Sequence, residues 1–132
     1  MDQRLKSAIN DLRKMRSSDA ADWLMVHHPV DSESAGEALI IASHLSWKKA
    51  DQLRLADHYL SKLPFASARP YEVFASMLPI HKLAAILKDR MPSEEADRDL
   101  LWYHAGPVLK RAAKTTQDHE AVETLMSEVS AS

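Results

Sequence analysis

A chain of 132 residues that is 45% hydrophobic and 27% charged, with a formal net charge of −2, can bury a core of its own and lacks the overall basic excess of a nucleic-acid binder. It has no cysteine, which excludes disulfides, thiolate metal sites and cysteine nucleophiles. Its two glycines, Gly36 and Gly106, stand alone, so no GxxxxGK or GxGxxG phosphate loop and no GxSxG elbow can be written, and the common nucleotide-dependent and serine-hydrolase chemistries drop out.

The N-terminal run "MDQRLKSAINDLRKMR" is charged throughout and no apolar run approaches the roughly 20 residues of a membrane span. A cytoplasmic protein with no membrane partner is expected. Charge is blocked along the chain. Residues 1–16 carry five basic and two acidic groups, 17–45 five acidic and none basic, 46–92 eight basic against four acidic, and 93–132 four against eight. Such blocks suit neighbouring helices of opposite sign or a polar molecule with two faces.

The elements follow from apolar spacing and from six prolines. Leu5, Ala8, Ile9, Leu12 and Met15 recur at helical intervals and predict an amphipathic helix. Ser17 or Ser18 caps a second, "DAADWLMVHH", which Pro29 stops. Ser34 and Glu37 stand at capping-box spacing before "ALIIASHL", a helix apolar on nearly every side and therefore central. Ser46 caps a fourth helix that lasts until Pro64, with Leu53, Ala56, Tyr59, Leu60 and Leu63 as its core side and Leu55 at the margin. Phe65, in the loop between Pro64 and Pro70, plugs a junction between helices. Residues 70–78 form a short helix with Pro70 in its first turn.

Pro79 opens the next helix, with Ile80, Leu83, Ala84, Leu87 and Met91 as its stripe, and Pro92 closes it. Ser93 caps a helix whose first turn holds Glu94, Glu95 and Asp97; Gly106 and Pro107 are expected to kink it or to split it in two. Val122, Leu125, Met126 and Val129 mark the last helix, residues 116–129. The expectation is an all-α single domain over residues 1–132, of seven to nine short antiparallel helices in a compact bundle or a solenoid-like stack of helical hairpins.

Candidate chemistry is sparse. None of the seven histidines has another three or four residues away, and there is no Glu-x-x-His pair. Asp57-His58 and Asp118-His119-Glu120 resemble fragments of acid–base apparatus, but adjacent residues on a helix point about 100° apart and do not face each other. No catalytic residue, metal or cofactor is assigned, and the chain is read as no enzyme.

The stretch "SWKKADQLRLADHYLSKLPFASARPY" sets five Lys or Arg among four aromatic rings. On a helix, Trp47, Asp51, Arg54 and His58 gather opposite the core side. An exposed Trp beside an Arg is over-represented at the energetic centres of interfaces, so these four are the expected partner-binding stripe, with Trp23, Trp102 and Tyr103 in reserve. Within this region "IASHLSWKKADQLRL" resembles the helix-turn-helix motif, with Ile41 and Ala42 in the first helix, Ser46 at the turn and Lys48 and Lys49 leading the second. The resemblance implies a degenerate DNA-reading unit at residues 41–56 using Lys48, Lys49 and Arg54. Ser46 stands where Gly is usual, and Gln52 where the motif has an apolar residue. The leading expectation is a non-catalytic protein-binding module: an adaptor, an inhibitor or antidote, or a small subunit of a complex. A homo-oligomer is compatible with it, and a DNA-binding regulator is the alternative.

Overall fold

The computed structural model describes residues 2–131, and all regular structure among them is helical. The helices are α1 Gln3–Arg13, α2 Ser17–His27, α3 Ala35–Ser43, α4 Lys49–Tyr59, α5 Arg69–Met77, α6 Ile80–Asp89, α7 Glu95–Ala112 and α8 Thr116–Ser130, with a single 3₁₀ turn at Leu60–Lys62. The all-α expectation holds, and the eight helices among the described residues fall within the expected seven to nine. They form two compact units, Met1–Tyr59 and Leu60–Ser132.

In the first unit α1 packs on α3, and α2 on α4. Leu5, Ile9 and Leu12 bury one side of α1, as their spacing predicts, while Met15 stays exposed. Asp2 caps α1, its carboxylate accepting from the Leu5 N–H at 2.9 Å. Ala20, Ala21 and Leu24 of α2 are buried, as are Leu55, Ala56 and Tyr59 of α4. The Tyr59 hydroxyl reaches the carbonyls of Leu24 at 3.2 Å and His28 at 2.8 Å, so it serves the end of α2 where Pro29 stops it.

The second unit is built on α6 against α8, with α7 on α8 and α5 on α7. Pro70 sits in the first turn of α5 and Pro79 at the N-cap of α6, the two places where proline costs a helix least. Ile80, Leu83, Ala84 and Leu87 form the buried stripe of α6. Phe65 meets Tyr71 edge-on with ring centroids 5.5 Å apart, and its N–H donates to the Tyr71 hydroxyl at 3.2 Å. Val122, Leu125 and Val129 of α8 are buried, with Met126 exposed beside them.

The expected serine caps do not form, each for a local reason. Ser34 has φ −86° and ψ 3°, outside the extended region a capping serine needs, and Glu37 is drawn away by Arg4 of α1 at 2.8 Å. Ser17 lies inside α2, where its hydroxyl accepts from the Lys48 N–H at 3.0 Å. Glu94 in place of Ser93 has the extended backbone that precedes α7. A full capping box stands at Thr115 and Asp118, opening α8.

Of the two outcomes expected at Gly106 and Pro107, the split into two helices does not occur: α7 is one helix through both. Pro107 lies on the exposed side, where water can serve the Tyr103 carbonyl that has lost its N–H donor. Gly106 is needed for a different reason. A Cβ at that position would lie 2.9 Å from Trp102 Cε2, so the glycine leaves room for the indole to lie along the helix.

Candidate functional site

The stripe expected from residues 46–59 is not a free surface. Helix α4 starts at Lys49, which leaves Trp47 and the supposed cap Ser46 in the preceding loop. Trp47 turns inward to 9% exposure and its indole N–H donates to the Ala42 carbonyl at 3.0 Å. Gln52, the polar residue at an apolar position of the motif, is occupied by the same loop, its amide donating to the Trp47 carbonyl at 3.2 Å. Asp51 is 4% exposed: Ala56, Tyr59 and Leu60 are buried as predicted, but Leu55, expected at the margin, is fully buried while Leu53 is 40% exposed, so the buried side is turned toward Asp51.

Burial of Asp51 brings its own compensation. A hydrogen bond from Ser17 holds the carboxyl below the usual range against the opposing effect of burial, with the Arg54 guanidinium adding to it at 3.0 Å. The same guanidinium binds Asp22 of α2. Arg54 therefore spans α4 and α2 between two carboxylates, and His58 is half-buried with its ring edge-on to Tyr59 at 4.7 Å. Of the residues expected to contact DNA, Lys48 and Lys49 are exposed, and Arg54 is engaged as described. The structure thus brings Asp51 and Arg54 together, but as a support between helices.

Of the reserves, Trp23 is half-buried and stacked on His27 with centroids 4.1 Å apart. Trp102 is half-buried, with Lys110 Nζ 5.5 Å from its ring centroid. Tyr103 differs from both: it is 75% exposed.

Tyr103 belongs to a line on α7. Leu101, Ala105, Val108 and Leu109 face the core of the second unit. At about 100° per residue, Ala96, Leu100, Tyr103 and Pro107 fall on the opposite side of the cylinder, at steps of four, three and four. All four are exposed, Leu100 at 39%. Apolar residues scattered singly over a surface are ordinary, whereas this is one continuous seam with the spacing by which helices pair. Asp97 and Asp99 lie at its N-terminal end, one on each flank; Arg111 and Lys110 lie at its C-terminal end in the same arrangement. Among the described residues none of these four charges is in an ion pair.

The sequence also hid a structural centre at Asp118, which is buried. Its Oδ1 accepts from the His81 N–H at 3.0 Å and lies 3.1 Å from His81 Nδ1; Oδ2 accepts from the N–H groups of Lys114 at 3.1 Å and Thr115 at 3.3 Å. The Lys114 N–H above all, with His81 and Thr115, holds this carboxyl well below the usual range. One carboxylate thus ties together the positive starts of α6 and α8. His119 and Glu120, its sequence neighbours, are exposed and take no part.

No group of three or more His, Asp or Glu that could hold a metal ion occurs among the described residues. A cleft of about 480 Å³ in the first unit is lined by Leu12, Arg13, Ser17, Ala20, His44 and Trp47. Arg13 in it already donates to the His44 carbonyl at 3.4 Å. No helix among the described residues is long and apolar enough to cross a membrane. No protein-family model matches the sequence, and neither curated proteins nor solved structures show a significant match to it.

Proposed function

We propose that this chain is a non-catalytic protein-binding module and that its partner docks on the outward face of α7. The observation that carries the reading is the exposed seam Ala96, Leu100, Tyr103 and Pro107 on a helix whose other side is fully committed to the core. A folded unit supplies a rigid helix, so little conformational freedom is lost on docking. Tyrosine at the centre of the seam supplies apolar area and a polar tip, the combination enriched at interface centres. Unpaired charges at both ends of the seam offer a partner register and orientation.

The test is site-specific photo-cross-linking in native cells, with a photoreactive amino acid replacing Tyr103 and, as a control, Val26 of α2, which is 72% exposed. The reading expects a discrete protein adduct at position 103 and none at 26. Absence of an adduct at 103, or the same adducts at both positions, would remove the docking face.

A further inference from the structure

We infer that the occupant of the α7 face is a second copy of the same chain, laid antiparallel across it about a twofold axis near residue 104. The inference rests on the reading of α7 as a docking face and adds the identity and direction of its partner. Charge complementarity along α7 selects this occupant and its direction. In an antiparallel helix pair, equal flanks of the two helices meet, and residues equidistant from the axis come together. Asp97 and Arg111 share one flank of the seam, and Asp99 and Lys110 lie on the other.

The midpoint of Asp97 and Arg111 is position 104, and that of Asp99 and Lys110 falls half a residue beyond it. One axis therefore brings Asp97 to Arg111 of the second copy and Asp99 to its Lys110 at the same time. Symmetry repeats each pair, giving four ion pairs from four charges that have none within the described chain. The same axis sets Leu100 near the second copy's Pro107 and the two Tyr103 rings beside each other at the centre. A parallel pairing would instead stack acidic end on acidic end and basic end on basic end.

The extent of α7 limits the strength. Its 18 residues span about 27 Å, so the face covers less than the roughly 800 Å² per partner of a standard interface, and the dimer is expected to form in the micromolar range.

Sedimentation velocity from low to high micromolar concentration is expected to show a monomer–dimer equilibrium that Tyr103→Glu abolishes, with helical content unchanged because Tyr103 is exposed. Asp97→Arg and Arg111→Asp should each weaken the dimer roughly tenfold, since two symmetric pairs turn repulsive, and the double variant should recover it. Direction is read from disulfides, and the natural lack of cysteine makes the probe clean. Asp97→Cys mixed with Arg111→Cys should give an oxidised dimer, which neither protein gives alone. A chain that stays monomeric throughout, a dimer untouched by Tyr103→Glu, or self-cross-linking of Asp97→Cys would each overturn the inference. A different protein cross-linked at position 103 of a monomeric chain would overturn the dimer and leave the docking face standing.

Discussion

Gly106→Ala probes the seat of Trp102, which carries Lys110 on the flank of the proposed interface. In an exposed helix interior the change should stabilise by about 1 kcal/mol, because alanine loses less backbone freedom than glycine. Here the new Cβ would stand 2.9 Å from Trp102 Cε2, 3.1 Å from Cδ2 and 3.3 Å from Cζ2. Those atoms are the fused middle of the indole, so no terminal group can swing aside and the whole ring must leave. Leaving costs about 0.5–1 kcal/mol of cation–π contact with Lys110, and about 0.5–1.5 kcal/mol more if the ring is driven off its rotamer. The two effects oppose, and Gly106→Ala should fall between about 0.5 kcal/mol stabilising and about 1.5 kcal/mol destabilising, short of the full gain of about 1 kcal/mol in every case. In a Trp102→Ala background the obstacle is gone, and the same change should stabilise by about 1 kcal/mol. Urea unfolding of the four proteins of this cycle measures the coupling, expected at about 0.5–2.5 kcal/mol. If Gly106→Ala stabilises equally with and without Trp102, the indole does not lie over Gly106 and the reasoning fails.

Trp47→Ala should destabilise the first unit by about 3–5 kcal/mol, since it empties a buried indole site and removes the indole N–H from the Ala42 carbonyl, which keeps the Leu45 N–H at 3.3 Å; chemical denaturation checks it, and a change near zero would return Trp47 to the surface. The Asp118 carboxyl has a depressed pKa, so the stability it supplies is complete above the ordinary carboxylate range of about 4. That stability is lost as pH falls through the depressed value. Asp118→Asn should therefore be less stable than the native chain at neutral pH, with a flatter fall between about pH 5 and pH 2, so that the two denaturation profiles converge in acid. Parallel profiles would mean that Asp118 is not held ionised by its four contacts.

What could be read without coordinates was whatever depended on period and punctuation. Leu5, Ile9 and Leu12, the stripe of α6, and the stops and starts at Pro29, Pro70 and Pro79 all lie as their spacing requires. What failed depended on which of two competing partners a polar group takes. Glu37 could close a capping box or meet Arg4, and only the approach of α1 to α3 decides. Asp51 and Arg54 read as part of an exposed partner-binding stripe because nothing in the chain order shows that Ser17 and Asp22 arrive from α2. Trp47 reads as a helical residue because Ser46 resembles a cap, but α4 starts at Lys49 and Trp47 lies in the loop before it, turned into the core.

The seam on α7 is written in the sequence but masked by Gly106 and Pro107. Treating Gly106 and Pro107 as a break hides the relation of Leu100 and Tyr103 to Pro107, which appears only when the helix is carried through. Proline is compatible with that continuity where its ring faces solvent, and glycine where an indole takes the place of its side chain.

Amide nitrogen–proton NMR spectra recorded across a dilution series test the central claim most directly, because each residue reports its own environment. The concentration-dependent shifts should map to Ala96–Arg111 on the outward side of α7, centred on Tyr103, with the residues around Trp47 and Arg54 unmoved. Shifts clustered on α4, or spectra that do not change with concentration, would contradict it.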